Sequence, residues 1–133
     1  MHRILAVLVL CAAAGGPAQG QGIGQAPTGG IGADGCAVSA LREGVWGMHA
    51  PAVQRRAVAR WQDAAARFLG PSFADVTASA RRNRVATCEV DDSSIGRAIW
   101  CEIIARPCGP AARPGTGGPL VWMPGPGGAF RLR

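Results

Sequence analysis

The chain has 133 residues, with 14 basic and eight acidic side chains and a formal net charge of +6. Every basic residue is arginine. Such an excess indicates either an anionic partner or an ordinary solvated surface. Membrane-spanning proteins are excluded for the mature chain, because no apolar run approaches the roughly 20 residues that a span needs.

The N-terminus has the pattern of a secretory signal peptide. A short polar start precedes the apolar run 4–14, and the sequence Gly-Gly-Pro follows directly after this run. Small residues at Ala18 and Gly20 predict cleavage before Gln21, so that residues 1–20 are removed. Cleavage directly after the apolar run is the alternative. Export makes nucleic acid an unexpected partner and predicts a periplasmic or secreted protein.

Five cysteines are present. Cys11 lies within the predicted signal peptide, and lipidation there is disfavoured because Leu10 occupies a position that requires a small residue. The mature chain keeps an even number of cysteines in an oxidising compartment, which predicts two disulfides. They form among Cys36, Cys88, Cys101 and Cys108.

Composition divides the mature chain into three parts. Residues 21–35 are rich in Gly, Gln and Pro and predict a flexible linker. Residues 36–108 contain nearly all the periodic hydrophobicity and predict one small domain. Residues 109–133 are again rich in Gly and Pro and predict a disordered tail. Within this tail, the apolar segment 120–123 is expected to dock on its own domain or on a partner.

The clearest predicted element is a helix over residues 51–69. Pro51 suits the first turn of a helix, and Gly70 and Pro71 suit its end. At helical periodicity one face is apolar and should pack on the core: Val53, Ala57, Val58, Trp61, Ala64, Ala65, Phe68 and Leu69. The opposite face is charged.

Two predicted strands, over residues 84–90 and 98–105, are rich in β-forming residues and are separated by a turn-forming segment. In a symmetrical hairpin, Cys88 lies opposite Cys101 and within disulfide distance. Of the three possible pairings, this register favours Cys88–Cys101 together with Cys36–Cys108.

A weaker third strand is predicted over residues 73–80, with a helical turn as the alternative. The predicted fold is therefore α+β: one amphipathic helix packed on a small two- or three-stranded antiparallel sheet, stapled by disulfides and flanked by disordered Gly/Pro-rich tails. A core this small needs the staples.

A series of structural residues runs from the helix to the last cysteine: Ala59, Trp61, Phe68, Gly70, Phe73, Ala80, Cys88, Trp100, Cys101, Ala105, Arg106, Pro107 and Cys108. This series resembles a pattern of small exported bacterial proteins of unassigned function, in which a tryptophan-bearing helix and a glycine precede Trp-Cys and Ala-x-Pro-Cys. The resemblance implies a shared fold and brings no catalytic residue with it.

No catalytic, metal-binding or cofactor-binding pattern is recognisable. His49 is the one histidine of the mature chain and lacks the companions that a metal site needs. The serines lie in no nucleophile motif. The sequence therefore predicts a protein that is not an enzyme and binds no cofactor, and a small hydrolase is disfavoured.

Two surfaces are candidates for binding. Arg56, Arg60 and Arg67 form a stripe along the predicted helix, which is either an anion-binding surface or a solvated face. Trp100, with Glu89 and Glu102 nearby, is either a stacking platform for a sugar ring or another planar group, or a core residue covered by the segment around Val45 and Trp46 or by the predicted strand that begins at Phe73.

The leading hypothesis is an exported, non-enzymatic interaction module. Its partner classes are an anionic glycan, a lipid headgroup or another envelope protein. The alternative is a structural or inhibitory envelope protein that acts through apolar protein contact.

Overall fold

The computed structural model describes residues 25–92, 96–112 and 116–125. The predicted signal peptide and Cys11 lie outside these residues, as do parts of both predicted tails.

One helix packs on one face of a four-stranded mixed sheet. The elements are β1 (Leu41–Gly47), α1 (Ala50–Leu69), β2 (Val85–Asp91), β3 (Ala98–Ala105) and β4 (Trp122–Pro124). The strand order is β1-β3-β2-β4, in which β3 is antiparallel to both neighbours and β4 is parallel to β2. The α+β, disulfide-stapled prediction is confirmed. The predicted strand number and the purely antiparallel arrangement are wrong.

The helix matches its prediction closely. Pro51 lies in the first turn, and Gly70 ends the helix at a φ of 105°, a conformation that favours glycine. Five apolar residues of the predicted face are buried: Val53, Ala57, Trp61, Ala64 and Ala65. The indole Nε1 of Trp61 donates to the carbonyl of Leu41 at 3.2 Å, so the largest core side chain also satisfies its polar atom. Phe68, predicted to be in the core, is 37% exposed near the helix end.

The hairpin forms in the predicted register. Cys88 lies opposite Cys101, and the two are joined by a disulfide. A second disulfide joins Cys36 to Cys108 across 72 residues. The predicted inner face is buried against α1 at these positions: Ala86, Cys88, Ile99, Cys101, Ile103 and Ala105.

The predicted third strand over residues 73–80 is wrong. The structure has two single-turn 3₁₀ helices, Pro71–Phe73 and Val76–Ala78. The carboxylate of Asp75 accepts the amide hydrogen of Thr77 at 2.9 Å and thereby starts the second turn. A local side-chain bond of this kind competes with strand pairing.

The two additional strands come from segments with weak strand patterns. β1 contains two glycines and an Arg-Glu pair. β4 lies in the predicted disordered tail, where the structure pairs Trp122 with Ala86 of β2. Two arginines bind the tail backbone: Arg81 Nε donates to the Gly117 carbonyl at 2.6 Å and Arg84 Nη2 to the Pro119 carbonyl at 3.1 Å. These contacts place a Gly/Pro-rich segment at the sheet edge.

A polar cluster supports the Cys36–Cys108 disulfide. Arg106 donates to the Ala37 carbonyl at 2.7 Å and to the Asp34 carboxylate at 2.8 Å. Asp34 also accepts the Cys36 amide hydrogen at 3.1 Å. The pKa of Asp34 is lowered, first by the Cys36 amide hydrogen bond and then by Arg106. The ionised form of Asp34 therefore helps to join the segment before β1 to the segment after β3.

This lowered pKa predicts acid sensitivity. In the unfolded chain Asp34 titrates near its ordinary pKa of 3.8, and in the folded protein it titrates below that value. The charged carboxylate therefore stabilises the fold above that range, and this contribution is lost as the pH falls through the folded pKa. We expect Asp34→Asn to lower the urea midpoint near pH 7 and to differ less from wild type near pH 2.5. The control is Asp92→Asn, which removes an exposed ion pair with Arg97 and should change little. A constant difference across the pH range would contradict the assignment.

The two disulfides should differ in their contribution to stability. The chain-entropy account predicts that losing the 72-residue closure costs about 4 kcal/mol and losing the 13-residue closure about 3 kcal/mol. We expect the paired variant Cys36→Ala/Cys108→Ala to lose more free energy of unfolding than Cys88→Ala/Cys101→Ala, measured by urea denaturation. The reverse order would show that packing around the buried hairpin cysteines outweighs loop closure.

Candidate functional site

The helix α1 covers one face of the sheet, and no helix of the described residues covers the other face. Because side chains alternate along a strand, residues between the inward positions point away from α1. We call this surface the outer face. Its members are Arg42, Gly44 and Trp46 of β1, Val85, Thr87, Glu89 and Asp91 of β2, Ala98, Trp100, Glu102 and Ile104 of β3, and Met123 of β4.

Two tryptophans lie side by side on the outer face. Trp46 of β1 is the cross-strand neighbour of Trp100 of β3. Their ring centroids are 5.0 Å apart and their planes are tilted by 47°. Trp46 is 40% exposed, while Trp100 is half-buried beneath its neighbour and the strand. The segment around Val45 and Trp46 thus covers Trp100 only in part, and the pair presents one aromatic surface to solvent.

Gly44 makes room for this arrangement. The six-membered ring of Trp100 lies directly over Gly44, so closely that a Cβ at this position would overlap the ring atoms Cζ2, Cη2 and Cε2. The glycine here serves close approach between side chain and backbone. It allows the Trp100 indole to approach the backbone of β1 and to pack beside Trp46.

The two predicted carboxylates differ in availability. Glu102 accepts two hydrogen bonds from Arg42, at 2.9 Å from Nε and 3.1 Å from Nη2. Glu89 lies opposite Trp100 on β2. It forms no hydrogen bond or ion pair with another described residue, and the backbone of Gly125 lies beside it. Asp91, the other outer-face carboxylate of β2, is engaged in an interaction of its own, so among the described residues Glu89 is the outer-face carboxylate that is available to a ligand.

The arginine stripe lies apart from this surface, on α1. Arg56 Nη1 donates to the Trp46 carbonyl at 3.3 Å. Arg60 lies 3.7 Å from the carboxylate of Glu43, a buried residue of the inner face. Arg67 lies over the Phe68 ring at 5.5 Å. Two of the three arginines thus bind β1, and the structure does not bring the stripe together with Trp100.

Sequence reasoning missed two features. From the sequence, Trp46 is predicted only as a cover for Trp100. In a strand, Trp46 and Gly44 are two positions apart and therefore share a face, which was a signal that Trp46 could itself form part of a surface. The run Arg81, Arg82 and Arg84 places three cations within four residues, and this density was a signal for a local role. In the structure Arg81 and Arg84 bind backbone carbonyls of the tail.

Among residues 25–92, 96–112 and 116–125, no group of three His, Cys, Asp or Glu side chains is placed to hold a metal ion. Over the same residues, no helix has the length and apolar character to cross a membrane.

Comparisons with family models, with curated proteins and with solved structures find no match for this chain.

The close approach of Trp100 to Gly44 gives a sharp mutational test. We expect Gly44→Ala to lower the free energy of unfolding by about 1–3 kcal/mol, because the added methyl group must displace a packed ring. In the Trp100→Val background the ring is gone, so Gly44→Ala should cost less free energy of unfolding there than it does in the wild type. Additive effects in the double-mutant cycle would contradict the contact.

Proposed function

We propose that this protein is an exported, non-enzymatic module that binds a saccharide on the outer face. The observation that carries the proposal is an exposed indole, Trp46, packed on a second indole beside the carboxylate of Glu89, which has no partner among the described residues. In this proposal Trp46 and Trp100 stack on a sugar ring, and Glu89 accepts hydrogen bonds from its hydroxyl groups.

The chemistry of the surface suits a sugar. An indole offers a large, flat apolar face, which complements the C–H face of a pyranose ring. The ring hydroxyls need acceptors at the edge of such a face, and an ionised carboxylate is an acceptor with two oxygens. Trp46 and Glu89 flank Trp100 on neighbouring strands, so both kinds of contact are available along one row of the sheet.

A small ligand suits this surface better than a large protein partner. The large apolar side chains of the outer face that are clearly exposed are Trp46 and Met123, separated by polar residues and by half-buried ones. A standard protein interface buries about 800 Å² on each partner around a continuous apolar centre. The apolar-contact alternative therefore has less support.

Binding without hydrolysis is also favoured by the carboxylates. A glycosidase commonly uses two carboxyl groups on either side of the scissile bond. Here Glu102 is engaged by two donors of Arg42, which leaves Glu89 as the carboxylate beside Trp100 that has no partner among the described residues. This supports recognition in place of catalysis.

An anionic partner on the arginine stripe has weaker support. Arg56 and Arg60 already contact β1, so an anion would have to compete with those contacts. The negative charge of Glu89 also disfavours an anionic sugar on the outer face. Export is supported by the two disulfides, which persist in oxidising compartments, and periplasmic or secreted localisation belongs to the proposal.

The test is calorimetric titration with neutral oligosaccharides of glucose and of N-acetylglucosamine, and with acidic oligosaccharides of uronic acids. We expect a neutral sugar to bind, and Trp46→Ala to weaken its binding about tenfold through loss of ring stacking. Glu89→Gln should weaken it by a similar factor, because an amide is a poorer acceptor than a carboxylate. Phe68→Ala, which removes a comparably exposed ring from the helix end, is the matched control and should leave affinity unchanged.

Salt dependence separates the competing hypotheses. Sugar binding on the outer face should change little with salt and should survive Arg56→Gln/Arg60→Gln/Arg67→Gln. Preference for uronic acid oligosaccharides, with loss of affinity in salt and in the triple variant, would contradict the proposed site and favour the arginine stripe.

A further inference from the structure

A groove runs between the first half of α1 and β4. It encloses about 310 Å³ and is lined by Pro51, Gln54, Arg55, Val58 and Trp122. Trp122 pairs with Ala86, an inner-face residue, so the groove lies on the helix side of the sheet. It is therefore separate from the outer face and from the saccharide site proposed there.

The lining has an apolar part and a cationic edge. Pro51, Val58 and Trp122 provide aliphatic and aromatic walls. Arg55 is exposed and forms no hydrogen bond or ion pair with any residue that the structure describes. This distinguishes it from Arg56 and Arg60, which contact β1. A free guanidinium at the edge of an apolar groove is suited to an anion that carries an apolar body.

The side-chain amide of Gln54 is a second polar group in the lining of the groove. Its nitrogen lies 3.7 Å from Cys88 Sγ, at the hairpin disulfide. This weak contact directs the amide nitrogen towards the sheet. The groove thus has one cation for a charged group and one amide for a further polar atom, with apolar side chains between them.

We propose that this groove binds a small amphipathic carboxylate. The carboxylate pairs with Arg55, and the apolar body lies between Val58 and the Trp122 indole. Charge complementarity selects the sign of the ligand, because no acidic side chain lines the groove among the residues that the structure describes. The volume is at the lower end of the range for small-molecule sites, about 300–1,000 Å³, so the ligand is a short acyl chain or a single aromatic unit.

The experiment titrates the full mature chain with octanoate and with indole-3-acetate, followed by calorimetry and by backbone and indole NMR chemical shifts. Octanoate tests the acyl form of the ligand and indole-3-acetate the aromatic form. We expect one of them to bind, with shift changes at Gln54, Val58 and the Trp122 indole and none at Trp46 or Trp100. 1-Octanol, which has the same chain without the charge, should bind at least about tenfold more weakly.

Two matched variants test the cation. Arg55→Gln removes the charge from the groove, and Arg67→Gln removes the same charge from the far end of the same helix. We expect about a tenfold loss of carboxylate affinity in the first variant and none in the second. Equal effects of the two variants, equal binding of octanol and octanoate, or no binding of either carboxylate would overturn the proposal. None of these results bears on saccharide binding, which is measured with separate ligands and variants.

Discussion

The register between β2 and β3 is the constraint on which both faces of the sheet depend. Because side chains alternate, a shift by one residue would exchange the two faces along the whole strand. The Cys88–Cys101 disulfide joins residues directly opposite each other and is compatible with one register. With these cysteines turned inward, the small apolar residues of both strands meet α1, and Trp100 and Glu89 necessarily point outward.

The small inner residues have a further consequence for packing. Alanine and cysteine make up most of the buried apolar positions, and Trp61 is the largest fully buried side chain. A core of this size has little reserve of buried apolar area. The Cys36–Cys108 disulfide and the ion pair between Arg106 and Asp34 hold the segment before β1 to the segment after β3. The added strands supply the remaining contacts, since Leu120 and Trp122 pack against the main core.

The sequence predicted the parts of this fold that depend on local periodicity. The helix over 51–69, the hairpin with its register and both disulfide pairs follow from alternation, turn composition and cysteine spacing. β1 could not be predicted in this way, because Gly44 contributes no side chain to a strand pattern. Its role is to make room for Trp100, which comes from another strand. β4 has only three residues, and its position depends on Arg81 and Arg84 binding carbonyls more than 30 residues away. Nonlocal contacts of this kind leave no periodic pattern.

Both proposed binding surfaces arise where an unpredicted strand meets a predicted element. The predicted hairpin contributes Trp100 and Glu89, and β1 adds Trp46, which turns one half-buried ring into an exposed aromatic surface. The predicted helix contributes Arg55 and Val58, and β4 adds the Trp122 wall that makes a groove of an otherwise convex helix surface. The two edge strands thus shape the surface, and β1 also belongs to the stable scaffold, because Leu41 and Val45 are buried in the core. Trp100 and Glu89 could therefore be named from the sequence, because the hairpin register places them together, whereas the aromatic surface of Trp46 and the groove wall of Trp122 depend on the edge strands.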